Sequence, residues 1–546
     1  MGKQTSDPLG CEADAWEQSD KERLSIFKFQ LSTNMNKPLV LWADDEIDLL
    51  KPYMIFLSEK GYDVITSNNG RDAICLVGER HPDIVFLDEN MPGLSGLETL
   101  QIIKERNPDV PVVMITKSEE EHIMEEAIGS KITDYLIKPV NPNQILLTLK
   151  KHVSGRELVS QHTTASYREE FADLSYVISQ AATLDEFTDV YRNLVRWSFE
   201  LADADPSMRE LLTTQYDDAN KAFCRTVRRD YKTWFDDDSV LMSHRLLRAE
   251  VMPRLNAGEK VALVVIDNFR YDQWRAVQSV IAGRLRVVSE KMYCAMLPTS
   301  TQYARNAIFS GLTPLQISQR YPDLWVDEGD EESKNQYEHR LLEHYFERNR
   351  RNISTAYYKI NESAYCERLT ENLRRNPTQA QMVAVVVNFI DMLSHSRTES
   401  QMMRELAGDE AAYLSLTKSW FEHSPTLALF EELRRLGYTL LVTTDHGTKR
   451  VQNPVKVVGD RNTNVNIRYK VGKSLDYNAK EVVAFTHPND IGLPAPNLSS
   501  HYIFAQDRDF FAYPNNYNHY AAFYRDTFQH GGISLEEMLV PLVELK

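Results

Sequence analysis

The chain is 546 residues long, with 62 Lys and Arg against 79 Asp and Glu and a formal charge of −17. Its 42% hydrophobic and 10% aromatic content is ample for packed cores, which excludes a disordered or low-complexity chain. The length predicts three to four domains at roughly 150 residues each, and the acidic balance argues against broad binding of duplex nucleic acid, whose affinity comes from Lys and Arg displacing counterions.

The cysteines, Cys11, Cys75, Cys224, Cys294 and Cys366, are odd in number, far apart and free of any C-x-x-C spacing. That pattern predicts neither a disulfide framework nor a zinc knuckle, and it fits a reducing, cytoplasmic home. Apolar runs such as 261–266 and 382–387 are strand-sized, far below the roughly 20 residues of a membrane helix, so no membrane insertion is expected. The opening residues carry mixed charge and no apolar signal core. Residues 1–34 read as a disordered or appended extension, with the folded part starting near Met35.

From 35 to 153, short apolar strands over 39–42, 63–66, 84–87, 112–115 and 134–137 alternate with helical periods, among them 47–60, 70–80 and 96–107. Such alternation predicts a doubly wound parallel α/β sheet. In such a sheet the carboxyl ends of the strands face one crevice. There the sequence supplies Asp44, Asp45 and Glu46, then Asp88, Thr116 and Lys138. The acids suit Mg²⁺, Asp88 is a candidate carboxylate nucleophile, and Thr116 and Lys138 could meet a phosphoryl group. Asp44-Asp45-Glu46, Asp88-x-x-Met91-Pro92-x-x-x-Gly96, Thr116 and Lys138-Pro139 together resemble a flavodoxin-like two-component receiver domain. The resemblance implies phosphorylation of Asp88, Mg²⁺ held by Asp44, Asp45 and Asp88, a cis Lys138–Pro139 bond, and Tyr135 at an aromatic switch position.

Between Gly155 and Gly258 there is no glycine, and the only prolines are Pro206 and Pro253. Apolar residues recur at helical spacing, as in Phe171, Leu174, Val177 and Ile178. Residues 154–257 are therefore expected to form an all-α bundle connector of four or five helices.

Residues 258–546 are expected to form one large α/β domain. The runs 260–266, 382–390 and 438–444 end at Asp267, at Asp391 with His395 four residues on, and at Asp445-His446-Gly447; His530-Gly531-Gly532 follows near the end. Three acids and three imidazoles at sheet ends suit two Zn²⁺ ions, with Mn²⁺ as the alternative. A loop over 297–300 runs into a helical pattern that stops near Gly311. Thr301 is the expected N-cap and nucleophile, its hydroxyl sitting where helix amides favour an anion; Thr299 and Ser300 are alternates.

PTSTQYARNAIFSG, Asp391-x-x-x-His395, Asp445-His446 and HGGISLEEMLVP resemble the alkaline phosphatase superfamily, and its PglZ branch in particular. The resemblance implies one metal held by Asp267, Thr301, Asp445 and His446 and a second by Asp391, His395 and His530. It also implies a phosphoryl intermediate on Thr301, with Asn306 and Arg305 contacting phosphate oxygens or the leaving group. Lys449 and Arg450 invite a similar reading.

Receiver, helical connector and PglZ-type domain in this order resemble the response regulators tied to the type IX secretion system in Bacteroidetes. That implies a PorY-like sensor histidine kinase, a phosphodiesterase acting on oligonucleotides including cyclic ones, a homodimer on phosphorylation, and contacts with a secretion-machinery protein or sigma factor. The competing expectation is a zinc-stabilised docking or transcription-regulatory module with little catalysis. DNA reading is disfavoured, because the best basic cluster (Arg225, Arg228, Arg229 and Lys232) is followed at once by Asp236, Asp237 and Asp238.

Overall fold

The computed structural model describes residues 37–117, 132–153, 155–202, 204–328, 333–399, 401–459, 463–495, 497 and 499–546; the expected extension over 1–34 and the start near Met35 lie outside the described residues. The chain divides into two compact units, Met1–His162 and Thr163–Lys546.

In the first unit, strands β1 (Leu39–Ala43), β2 (Asp63–Ser67), β3 (Ile84–Asp88), β4 (Val112–Thr116) and β5 (Asp134–Ile137) form a sheet of order β2-β1-β3-β4-β5. All four pairings are parallel, the flavodoxin-like order. The side chains alternate between two apolar layers, as period-2 geometry requires. Leu41, Val85, Leu87 and Met114 meet Ala73 and Val77 of helix Gly70–Arg80 and Leu100 and Ile103 of helix Gly96–Arg106. On the opposite face Val40, Trp42, Phe86 and Ile115 meet Leu57 of helix Lys51–Glu59 and Ile145 and Leu149 of helix Pro142–His152. The single helix expected over 47–60 is a 3-10 turn, Ile47–Leu50, followed by Lys51–Glu59; Pro52 in the first turn favours a fresh helix start there.

Among the described residues the connector has three long helices, Gly155–Gln180, Leu184–Glu200 and Pro206–Asp236, and a short fourth, Met252–Asn256. Pro206–Asp236 runs 31 residues unbroken, and a 3-10 turn and a π turn lead from it into the short helix. Without glycine or internal proline, the periodicity shows a helical face but not where one helix ends. Thr183 and Glu186 form the capping box that starts the second helix. Phe187, Leu194, Phe223 and Tyr231 share one continuous apolar core with the strands that follow, so the connector from Thr163 onward and the C-terminal region are packed as one body.

That region centres on a mixed sheet. Strands β6 (Lys260–Ile266), β7 (Val287–Cys294), β8 (Thr355–Ile360), β9 (Met382–Val387) and β10 (Tyr438–Thr443), with the terminal strand Leu539–Leu545, run in the order β7, terminal strand, β10, β6, β9, β8. β10, β6, β9 and β8 are parallel to one another, and the terminal strand is antiparallel to β10 and β7. Ile266 stands opposite Val387 and Val265 opposite Thr443. The register therefore brings the carboxyl ends of β6, β9 and β10 level, and the chain leaves each of them toward the same edge. The run expected as a strand over 382–390 ends at Val387; Phe389 opens helix Phe389–Glu399, which places Asp391 in a first helical turn.

Candidate functional site

In the first unit, Asp44, Asp45 and Asp88 offer oxygens that all lie within 4.8 Å of one another. Asp44 and Asp88 are buried at the ends of β1 and β3, while Asp45 is exposed. Lys138 Nζ lies 2.8 Å from both Asp44 Oδ2 and Asp88 Oδ1. Burial raises the Asp88 carboxyl pKa against the pull of Lys138. Burial also works against the Lys138 charge, but its bonds to Asp44 and Asp88 outweigh it and hold the ammonium above its usual range. Thr116, at the end of β4, donates to Glu89. The Lys138–Pro139 bond is cis, and Tyr135 is exposed on β5.

In the second unit, two trios form at the sheet edge: Asp267, Asp445 and His446, all buried, and Asp391, His395 and His530; within each, the ligand atoms all lie within 4.8 Å. Thr301 joins the first trio, its Oγ1 lying 3.3 Å from Asp267 Oδ1 and 3.2 Å from His446 Nε2. His395 Nε2 is 3.5 Å from Asp391 Oδ2, one helical turn away, and His530 Nε2 is 3.7 Å from Asp391 Oδ1. The His446 and His530 rings stack at 4.4 Å, so the two trios adjoin.

Backbone carbonyls orient both rings. His446 Nδ1 is 3.1 Å from Gly447 O and His530 Nδ1 is 3.3 Å from Thr299 O, leaving each Nε2 facing the carboxylates, the arrangement that suits an imidazole ligand. Thr299 closes the loop against the glycines, donating to Gly532 O and accepting from Gly531 N. Its hydroxyl is thereby committed and buried, which removes Thr299 as an alternate nucleophile. Ser300, not Thr301, is the N-cap, and it makes no side-chain capping bond; Thr301 is the first helical residue of Thr301–Ser310. The helix ends at Gly311, whose φ of 59° is left-handed.

Without a cation this donor set is strained electrostatically. Burial, with Asp267 adjacent, pushes the Asp445 carboxyl up to about 7. Burial also raises Asp391, and burial with His446 and His395 nearby holds His530 well below the usual imidazole range. Burial opposes the Asp267 charge, but Arg305 and His446 outweigh it and keep that carboxyl low. Asp445 Oδ2 is buried with no hydrogen-bond partner. A buried carboxylate oxygen in that state is costly unless a charge answers it, and carboxylate, imidazole and hydroxyl donors so grouped fit a pair of divalent cations.

Arg305 and Asn306 do not contact the open site, which corrects the expectation that they meet phosphate oxygens or the leaving group. Arg305 is fully buried; its Nη1 donates to Asp267 Oδ2 at 2.6 Å and its Nε to Glu338 Oε1 at 2.5 Å. Asn306 Nδ2 donates to Gln302 O and Lys334 O at 2.9 and 3.0 Å. Helix geometry turns both inward, one to hold a carboxylate and the other to hold a loop. Lys449 pairs with Glu536 and Asp507, and Arg450 with Asp526; neither lines the cavity over the trios.

That cavity has a volume of about 980 Å³ and is lined by Thr301, Asp267, Asp391, His395 and His530 on its floor, with Lys334, Lys359, Asn388, Asn466, Tyr469, Phe523 and Tyr524 around them. Sequence reasoning missed Asn268, whose φ of 61° lets its Nδ2 reach Asp391 Oδ1 at 3.2 Å and Ser394 Oγ at 3.1 Å. An Asn directly after a strand-end acid was the available signal. It also missed Glu328, which accepts from Tyr303 and Tyr469 at 2.9 and 2.5 Å on the cavity wall; nothing local in the sequence marks it.

Three family models match the chain: the BREX system PglZ alkaline phosphatase-like domain over residues 246–545, the response regulator receiver domain over 40–150, and the PorX response regulator linker domain over 157–235. Among curated proteins, the chain is similar to the transcriptional regulatory protein ZraR of Escherichia coli O157:H7, 33% identical over 132 residues that are 24% of this chain and 30% of that protein. It is also similar to the regulatory protein LuxO of Vibrio cholerae, 31% identical over 111 residues, 20% of this chain and 24% of the relative. The chain thus spans about a third or less of the length of these relatives. Among solved structures, the Vibrio cholerae chemotaxis protein CheY4 shares 28% identity over 22% of this chain and 100% of its own, with a TM-score of 0.21. The PglZ match covers more than half of the chain, and the chain belongs to the PglZ alkaline phosphatase-like family, with a response-regulator receiver and a PorX-type linker preceding that domain.

Proposed function

We propose that the chain is a two-component response regulator whose output is a metal-dependent phosphodiesterase, with Asp88 as the phosphoryl acceptor and Thr301 as the nucleophile of the hydrolase. The observation that carries the hydrolase reading is the Thr301 hydroxyl between Asp267 and His446, on the floor of an open cavity. A metal site that served only to stabilise a docking surface needs neither an open face nor a nucleophile, which favours chemistry over the docking alternative.

Asp267, Thr301, Asp445 and His446 would hold one cation and Asp391, His395 and His530 the other, zinc by the nitrogen content of the set; such a pair supplies the positive charge that offsets negative charge developing on a phosphoryl group. The chain's own residues do the rest. Thr301 Oγ1 loses its proton and attacks phosphorus while one ester oxygen departs on the far side and leaves, protonated, as the first alcohol product, giving a Thr301 phosphodiester that keeps the other ester group. Water then displaces Thr301 and returns the enzyme. Opening a helix, Thr301 places backbone amides beside the phosphoryl oxygens. Arg305, through Asp267, and Asn268, through Asp391, fix two carboxylates that face the reacting group. The cavity volume, its lysines and its Phe523 and Tyr524 walls favour a nucleotide phosphodiester, cyclic oligonucleotides included, since aromatic rings stack on bases.

In the receiver, Mg²⁺ at Asp44, Asp45 and Asp88 would screen the acceptor. Asp88 takes the phosphoryl group from the phosphohistidine of a sensor kinase, Lys138 neutralises the charge it gains, and Thr116 turns from Glu89 to the new phosphoryl oxygen. The PorX-type linker supports placing this circuit in type IX secretion. The test is hydrolysis of bis-(p-nitrophenyl) phosphate by protein with measured zinc content. Activity that follows the zinc and is absent in Thr301→Ala supports the proposal; equal rates in the two proteins would leave docking as the better reading.

A further inference from the structure

A second cavity of about 440 Å³ is lined by Tyr191, Leu201, Leu212 and Tyr216 of the linker and by Arg270, Lys449, Arg450 and Glu536 of the PglZ domain. It runs along the seam where linker and PglZ domain pack together and opens to the surface at Arg209, Thr213 and Ala411, and it has no wall in common with the cavity over the trios. Its polar groups are incompletely satisfied. The Tyr191 side chain is fully buried, and its hydroxyl has no hydrogen-bond partner; the buried Nε of Arg450 has none either. A buried hydroxyl left in that state destabilises the fold, so its presence on a cavity wall calls for an occupant with an acceptor oxygen. Other lining groups are already matched: Arg270 with Asp272 and Glu410, Lys449 with Glu536 and Asp507, Arg508 with Asp217. The rest of the lining mixes apolar side chains, Leu201, Leu212, Ala411 and Leu414, with Ser198, Thr213 and Arg209.

We propose that this seam cavity is a regulatory site for a small anion, a carboxylate or a phosphate, carried on a compact apolar or aromatic body. The oxygens accept from Tyr191 Oη and Arg450 Nε, and the body fills the space between Leu212 and Leu414. Two connections carry occupancy to the hydrolase. Arg270 closes the Asp267–Arg270 turn, three residues from a trio carboxylate, and Lys449 lies three residues after His446. Between them Gly447 is pressed against the backbone of Glu536: a Cβ there would meet Glu536 O at 2.0 Å. Glu536 in turn is held by Lys449 Nζ at 2.8 Å and by Asn220 Nδ2 of the linker at 3.2 Å. Movement of the linker wall is thus passed to the segment that carries His446.

The experiment uses the full-length, zinc-loaded protein with 4-fluorobenzoate and 4-fluorophenylphosphonate as ¹⁹F probes. The two arms separate a carboxylate-selective from a phosphate-selective site, and binding of either probe supports the proposal. Expected results are line broadening with the wild type, about tenfold weaker binding to Tyr191→Phe, as for one lost hydrogen bond to a charged group, and none to Leu212→Trp, which fills the cavity. Tyr191→Phe should also melt at the same or a higher temperature in the absence of probe, since the hydroxyl it removes is unpaired. The hydrolytic rate should change on probe addition in the wild type and not in Leu212→Trp. Absence of broadening with both probes, or broadening retained at full strength in Tyr191→Phe, overturns the site; binding with no change of rate overturns its regulatory role.

Discussion

Arg305 Nη1 donates to Asp267 Oδ2 at 2.6 Å while Asp267 Oδ1 lies 3.3 Å from the Thr301 hydroxyl, so one buried guanidinium aims the carboxylate that faces the nucleophile. Arg305→Ala removes the one guanidinium that both buried carboxylates, Asp267 and Glu338, share. Breaking a buried pair in this way costs about 3–5 kcal/mol, and urea titration should show a correspondingly lower midpoint. Arg305→Lys keeps the charge but not the planar fork; it should lose less stability and still bind the first metal more weakly. An unshifted midpoint in Arg305→Ala would contradict this assignment.

Metal binding should depend on pH with a defined sign. The Asp445 carboxyl, pushed up to about 7 by burial and by Asp267, holds a proton in the metal-free fold that it does not hold when unfolded near its ordinary value. Its stabilising contribution is complete below about pH 4 and is lost as pH rises through about 7. A cation displaces that proton, so the gain in melting temperature on adding zinc should grow between about pH 5 and 8. A gain that shrinks over this interval would show that Asp445 is not a ligand.

Asp88→Asn should abolish covalent uptake of phosphate from acetyl phosphate, read by intact mass, while leaving the basal rate on bis-(p-nitrophenyl) phosphate unchanged. Lys138→Ala removes the cation that lies 2.8 Å from Asp88; it should preserve the acceptor yet leave the phosphorylated protein without its counter-charge, changing the lifetime of the acylphosphate. Label retained in Asp88→Asn would move the acceptor elsewhere.

Much of this was legible from chain order because short apolar runs ending in an acid carry both the strand and its functional residue. β1, β3 and β4 deliver Asp44, Asp88 and Thr116, and β6 delivers Asp267, with boundaries within a residue of those expected. The misreadings have local physical reasons. Ser300 and Thr301 are both good capping residues, and only the backbone shows which one is helical. Arg305 follows Thr301 by four residues and so shares its helix face, but that it turns inward depends on Glu338, 33 positions away. Asn306 is likewise held by Lys334, 28 positions away, and the aromatic cavity wall of Phe523 and Tyr524 comes from helix Tyr517–Tyr524, far along the chain from Thr301.

Coupling between the two units is tested with beryllofluoride as the acylphosphate mimic. Self-association should increase, and the hydrolytic rate should shift by a factor within the typical allosteric range of about 5–150. Neither change, in the presence of Mg²⁺, would leave the receiver and the hydrolase uncoupled.

The most direct measurement is rapid quenching of zinc-loaded protein during phosphodiester turnover, followed by peptide mapping by mass spectrometry. The account predicts an adduct on Thr301, a nucleotidyl group for a nucleotide diester, that appears together with the first alcohol product and ahead of the phosphate-bearing product, and that is absent in Thr301→Ala. Sustained turnover by Thr301→Ala, or an adduct on another residue with Thr301 unmodified, would contradict it.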